Sequence, residues 1–341
     1  KKDFDCTHLN LEKMINNLLD NLNYLDKSWI YNQYDSTVMG DTVKEPGQST
    51  GIIKLHDSQK VIGATTDCNP LYIRINPELG MIYTVVEAYR NLISSNIKPI
   101  AITNNLNFAS PLDPNIMGEI VLSISGLKKS ASKLNTPIVS GNVSLYNQTN
   151  DLPINPTPVI GMVGSNLNIN KIISNKFQND GDIIVSIGES LGYLNSPYFL
   201  KDQKITKEIN TFNELEDIDL ENEILTANSI MYLANNKMIQ SCNDVFRGGI
   251  FMSLIKMIEK DYGFTVELPN KFDLFCEYRA GYIITVKEDE LSKVCNYLSK
   301  NNVSHSNIGL VSNEKIKINS KVFDYFEIKG KYLDNFEKFI N

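Results

Sequence analysis

Residues 76–107 read NPELGMIYTVVEAYRNLISSNIKPIAITNNLN. Asn76-Pro77 opens a helix that runs to about Ser95, because Ile82, Val85, Val86, Tyr89, Leu92 and Ile93 recur at helical spacing. The register then breaks. KPIAITNN, residues 98–105, is a short apolar run with β-forming residues, and it reads as a strand. A long helix feeding directly into a strand sets the fold class, and the flanking sequence repeats the alternation.

Upstream, GIIKL (51–55) and VIGATTD (61–67) are strands that follow a Pro46-Gly47 turn. Downstream, Asp113-Pro114 places a capping side chain before a proline at the first helical position. The helix it opens carries Ile116, Ile120, Ile124, Leu127, Ala131 and Leu134 on one face. TPIVSGN (136–142) and TPVIGMVG (157–164) are further strands. Interleaved strands and helices make this part α/β or α+β. SNLNINKIISNKFQND (165–180) is polar and Asn-rich, and GDIIVSIG (181–188) starts a new strand set. Helices are expected near 221–236, from Gly249 to Asp261 with Gly263 as C-cap, and at 288–298, with strands at FTVELP and GYIITV. The N-terminal segment 11–34 reads as helical, with Trp29 and Tyr34 anchoring it. The division expected is an N-terminal helix and arm at 1–37, an A domain at 38–165 and a B domain at 166–341.

Composition narrows the function. The chain has 341 residues, 42% of them hydrophobic, which supports two packed cores. A net charge of −7, with no basic stripe, argues against a nucleic-acid partner. No apolar run reaches transmembrane length, so no membrane role is expected. The start KKDFDCTHLN has no apolar core of a signal peptide and no initiator Met, which reads as a fragment or a processed chain. Five scattered cysteines without CxxC spacing argue against a zinc site or a disulfide framework and point to a reducing, cytoplasmic setting. His8, His56 and His305 have no partner at metal-ligand spacing.

Chemistry gathers at three strand ends. Asp67, Cys68 and Asn69 end one strand, Asn104, Asn105 and Asn107 another, and Gly141, Asn142 and Ser144 a third. Arg90-Asn91 lies on the helix between the first two. Asp and Asn oxygens suit Mg²⁺, and glycine lets backbone N–H groups approach a phosphate. The same residue types are ordinary turn formers in an Asn-rich chain, so spacing alone leaves both readings open. Cys68 reads as a small buried residue, since no His or Lys stands near it in sequence. Asp244 before Gly248-Gly249 could shape an anion-binding helix entry or a plain turn.

Five stretches in order carry a resemblance: KSWIYNQYDSTVMGDTV with Pro46-Gly47, TTDCNP, VVEAYRNLISSNIKPIAITNNLNF, VSGNVSLYN and INPTPVIGMVG. Together they resemble the C-terminal half of the synthetase component of phosphoribosylformylglycinamidine synthase, within the aminoimidazole ribonucleotide synthetase-like superfamily. The resemblance implies an A domain that pairs sheet to sheet with another A domain, followed by an α/β B domain. It implies an ATP-dependent ligase of purine biosynthesis, with ATP and Mg²⁺ as cofactors. Its substrate is formylglycinamide ribonucleotide, and its ammonia comes from a glutaminase subunit. By the same resemblance Asn104 and Gly141 contact ATP, Ser144 contacts the nucleotide substrate, and Asn142, Asp67 and Asn91 are Mg²⁺ ligands. Tyr146 and Asn147 support their loop.

The departures bear on that assignment. The family has Asp where Asn104 stands, and Asn91 sits where the other half has Asp. NDVFRGG replaces HDVSDGG, keeping Asp244, Gly248 and Gly249 but placing Asn243, Phe246 and Arg247 at the other positions. LNSPY (194–198) keeps only a loose trace of a Leu-Gly-Gly-Ser stretch. The family's catalytic residues lie in its N-terminal half, so no catalytic residue is expected here. The partner expected is that half or a second copy. The alternative is a non-catalytic nucleotide-binding or structural half that needs a partner for activity.

Overall fold

The computed structural model describes residues 9–205 and 215–340. The first sheet is built from β1 (Thr42–Lys44), β2 (Gly51–Lys54), β3 (Val61–Cys68), β4 (Lys98–Asn107), β5 (Ile138–Ser144) and β8 (Val159–Asn166), in the order β1-β2-β3-β8-β4-β5. Only β4 and β5 pair in parallel. The two strands β6 (Gln148–Thr149) and β7 (Leu152–Pro153) form a small hairpin beyond β5. Two helices, α4 (Pro77–Ser94) and α5 (Pro114–Lys133), cover one face of the sheet. Asn76 caps α4 by accepting from the Leu79 N–H, and Asp113 caps α5 by accepting from the Asn115 N–H. A short helix, α3 (Pro70–Ile75), precedes α4 and was not legible as a separate element.

Burial follows the strand period. Val61, Ile102, Leu106, Ile160 and Met162 point to α4 and are buried. Ile53, Ile100 and Val163 point the other way and stay exposed. The sheet therefore has one covered face and one open apolar face. Helix α4 is different, since nearly every residue on it is buried. It lies between the first sheet, α5 and the second domain, touching α7 (Leu220–Asn235) and β10 (Ser241–Asp244).

The second sheet runs β10-β12-β9-β13-β11-β14-β15. Its strands are β9 (Ile183–Ser190), β10, β11 (Tyr262–Val266), β12 (Tyr278–Val286), β13 (His305–Asn313), β14 (Ile316–Ile318) and β15 (Lys321–Phe323). It is covered on both faces. Val185, Ile187, Ile284 and Val286 join α7 and α9 (Leu291–Lys300) in a core continuous with the first domain. Ile184, Ile283, Phe264 and Val311 face α8 (Gly249–Met257). That double cover explains the unbroken apolar runs of this half.

Several expectations change. The segment 11–34 is two helices, α1 (Leu11–Leu19) and α2 (Ser28–Tyr31), not one. Met14, Ile15, Leu18 and Leu19 of α1 sit in the second domain's core, against α10 (Tyr325–Ile340). Trp29 and Tyr34 do not anchor the segment: they are 37% and 74% exposed. Tyr24 does, through its hydroxyl bond to Asp202 of α6 (Pro197–Asp202). Helix α8 stops at Met257, and Gly263 lies inside β11, where a Cβ would meet the Lys315 carbonyl oxygen at 2.1 Å. That glycine is required by strand packing, not by a helix cap. Ile124, expected on the covered face of α5, is 47% exposed. Among the described residues, no helix is long and apolar enough to cross a membrane.

Candidate functional site

Register decides where each candidate points. Asp67 pairs with Ile160, Ile160 with Asn104, and Asn104 with Gly141. Residues paired across strands share a face. This row therefore lies on the helix-covered side. The next row is Cys68, Val159, Asn105 and Asn142, and it lies on the open side. Strand spacing separates Asp67 from Asn104 by about 10 Å and from Gly141 by about 14 Å. The six candidates thus divide into two places, and Asn142 projects from the face opposite Asp67.

The first place is the edge strand β5. Gly141 and Asn142 are exposed there, and Ser144 is half-buried. A Cβ on Gly141 would stand 2.8 Å from Asn104 Oδ1, so the glycine makes room for that amide. Asn142 Nδ2 donates to Asn105 Oδ1 at 2.9 Å, so the bond uses the amide nitrogen and not the side-chain oxygen Oδ1. Asn147 Nδ2 donates to the Ser144 and Phe108 carbonyl oxygens, which fixes the loop after the strand. Tyr146 does not pack. It is 59% exposed, with φ of 61°.

The second place is a cavity of about 250 Å³ where the two domains meet. Asp67, Glu87, Asn91, Asp244, Arg247 and Lys256 are among its lining residues. Asn91 Nδ2 donates to Asp67 Oδ2 at 3.0 Å. The glycine pair that follows Arg247 is obligatory. Gly248 and Gly249 have φ of 77° and 64°, and a Cβ on Gly249 would lie 2.6 Å from the Phe275 carbonyl carbon. Phe246 turns away into an aromatic cluster with Tyr72, Tyr83 and Tyr198. Asn243 is buried and accepts from Ser49 Oγ at 2.7 Å, joining the domains. Cys68 is half-buried, not enclosed.

Electrostatics mark the cavity. Burial pushes the Asp67 carboxyl well above its usual range, and the neighbouring Glu87 adds to the shift. Burial also raises Glu87, and Arg247 opposes it. Burial pulls against the charge on Arg247, yet Glu87 and its other neighbours hold the guanidinium above its ordinary value. Glu87 and the orientation of Arg247 were not read from the sequence. The signal for Glu87 was present, because it precedes Asn91 by four residues on α4 and so shares its face.

A neighbouring buried acid yields a pH prediction. Burial raises Glu277 to about 7, although the Tyr72 hydroxyl bonds to it at 2.9 Å and opposes the shift. The folded state then holds a proton that the unfolded chain releases near pH 4.5. Stability is fully present below the unfolded value and falls as pH rises towards 7, by about 3 kcal/mol in total. Glu277→Gln keeps the acceptor for Tyr72 and removes the titration. Urea unfolding between pH 5 and 8 should show a flatter stability profile for the variant, and an unchanged slope would refute the assignment.

Residues 47–165 match the family described as AIR synthase related protein, N-terminal domain. Residues 179–320 match its C-terminal domain. The chain is 39% identical over 319 residues to the phosphoribosylformylglycinamidine synthase subunit PurL of Pelagibacter ubique. That match takes in 92% of this chain but only 43% of the relative's length. Two solved structures of Thermotoga maritima PurL share the fold. The complex with FGAR has a TM-score of 0.72 at 12% identity, over 94% of this chain and 53% of that one. The complex with ATP has a TM-score of 0.58 at 20% identity, over 85% and 41%.

Proposed function

Because the chain belongs to the AIR synthase related family, we propose that it is the C-terminal half of an ATP-dependent formylglycinamide ribonucleotide synthetase. The observation that carries the proposal is the sheet edge, where Gly141 pairs with Asn104 on the helix-covered side while Asn142 and Ser144, paired with Asn105 and Asn107, lie on the side of the open apolar face. A complementary half, or a second copy, covers that face and supplies the reacting groups. In the reaction the substrate amide oxygen takes the γ-phosphoryl group of ATP, leaving ADP. Ammonia from a glutaminase subunit then forms the new C–N bond as phosphate departs.

This chain's residues bind and orient. Gly141 and the Asn104 amide shape the nucleotide contact, and the Ser144 hydroxyl meets the ribonucleotide. Mg²⁺ would neutralise phosphate charge, and on this chain Asn142 Oδ1, which the Nδ2 bond to Asn105 does not use, would serve as a neutral ligand. Carboxylate ligands come from the complementary half. The free thiols of Cys68, Cys242, Cys276 and Cys295 accord with a reducing cytoplasm.

The second reading, a non-catalytic half, is favoured by Asn104, which lacks the carboxylate of the family pattern. Calorimetry with Mg²⁺-ATP separates the two. Asn104→Asp restores a charge at the edge and should tighten binding about tenfold, while Asn142→Ala should weaken it. Unchanged affinity in a folded Asn104→Asp variant that binds nucleotide removes this edge from the nucleotide site.

A further inference from the structure

The resemblance puts Mg²⁺ on Asp67 and Asn91, and the cavity does not fit it. Among the described residues, no three His, Cys, Asp or Glu side chains converge to hold a metal ion. The oxygens are nonetheless there. Asp67, Glu87 and Asp244 all line the cavity, with the Asn91 amide bonded to Asp67. Glu87 is 6% exposed, and its Oε2 has no hydrogen-bond partner. A buried carboxylate oxygen left in this way is neutralised either by a proton or by a nearby cation.

The cations present are side chains, Arg247 and Lys256, and Arg247 is the one ion-paired with Glu87. Arg247 Nη2 stands 3.6 Å from Glu87 Oε1. Its guanidinium carbon lies 5.4 Å from the centre of the Tyr198 ring, so it is held between a carboxylate and an aromatic face. Arg247 also lines the adjoining cavity of about 270 Å³, together with Glu87, Asp244 and Lys256. The left-handed Gly248-Gly249 pair directly after Arg247 fixes the backbone from which it reaches in.

We infer that Arg247, paired with Glu87 in the cavity that Asp67 and Asp244 also line, takes the place of a divalent cation there, so that this interdomain cavity is built to work without metal. A guanidinium cannot lose its proton in this setting and cannot be removed by a chelator. A divalent ion entering the cavity meets a fixed positive charge and finds Glu87 already paired with it. The inference stands on the cavity alone. Its test reads metal binding, not ligase activity, so it and the proposed function can fail separately.

The test is Mn²⁺ binding, followed by the loss of the free-ion EPR signal, with Mg²⁺-dependent thermal melting as a second readout. The wild-type chain should show no Mn²⁺ binding that Glu87→Gln removes, and no Mg²⁺-dependent rise in Tm that Glu87→Gln removes. Arg247→Ser should gain one Mn²⁺ site, at least tenfold tighter than any wild-type binding, and Glu87→Gln in that background should abolish it. Arg247→Lys, which keeps a charge, should gain none. Wild-type binding of Mn²⁺ that is lost in Glu87→Gln or Asp67→Asn overturns the inference, whether or not the serine variant folds. A folded Arg247→Ser chain that binds no Mn²⁺ overturns it as well.

Discussion

Arg90→Ala should lower the stability of the chain by about 3–5 kcal/mol, the cost of leaving a buried carboxylate without its counter-charge. Arg90 and Glu223 have side-chain exposures of 1% and 2%. Arg90 Nε donates to Glu223 Oε2 at 2.9 Å, and a second guanidinium nitrogen donates to Oε1. Nη1 also donates to the Tyr278 carbonyl oxygen at 3.1 Å. The Ala280 N–H donates to Glu223 Oε1 at 2.8 Å. One guanidinium thus joins α4 of the first domain to α7 and β12 of the second. Removing it strands Glu223 in a core that cannot solvate it. The double variant Arg90→Met with Glu223→Leu should lose much less, because no charge is left behind. Urea unfolding of the three proteins measures this. A loss below about 1 kcal/mol in Arg90→Ala would mean that water reaches the pair.

Gly141→Ala should reduce kcat/KM of the reconstituted synthetase about a hundredfold while leaving this chain folded. The added Cβ would press on the Asn104 amide at 2.8–2.9 Å, and that amide must shift. Displacement of a positioning group by about 1 Å typically costs about a hundredfold in rate. Stability should hardly change, because β5 is an exposed edge strand and Gly141 packs against no core residue. Circular dichroism and melting of the isolated variant check the fold. A folded variant with wild-type kcat/KM would place the nucleotide elsewhere.

The sequence was informative wherever periodicity met burial on one side. Helix α4 was legible because its apolar residues recur at 3.6 and Asn76-Pro77 marks its start. Five of the six strands of the first sheet were legible from their β-branched runs, and β1 was not. Gly263 misled, because a glycine after a helix and a glycine admitting a neighbouring strand look alike in one dimension. Trp29 and Tyr34 misled because aromatic identity says nothing of which face a four-residue helix buries. The candidate residues themselves were found at strand ends, but their division was not. Whether Asp67 and Asn142 share a face depends on register through two intervening strands, and that register is set by β8, which contributes Ile160 and Val159 but none of the candidates. Arg247 was read as a departure from a family pattern. Only the interdomain packing shows that its charge enters the cavity beside Glu87.

Reconstitution shows whether this chain is half of a synthetase. The chain is mixed with a complementary N-terminal synthetase half, ammonium, Mg²⁺-ATP and formylglycinamide ribonucleotide, and the amidine product and ADP are measured. Equal amounts of the two are expected, with no turnover from either half alone and kcat/KM about a hundredfold lower with Gly141→Ala. Turnover by this chain alone would contradict this, as would a folded, associated pair of halves whose activity is indifferent to Gly141.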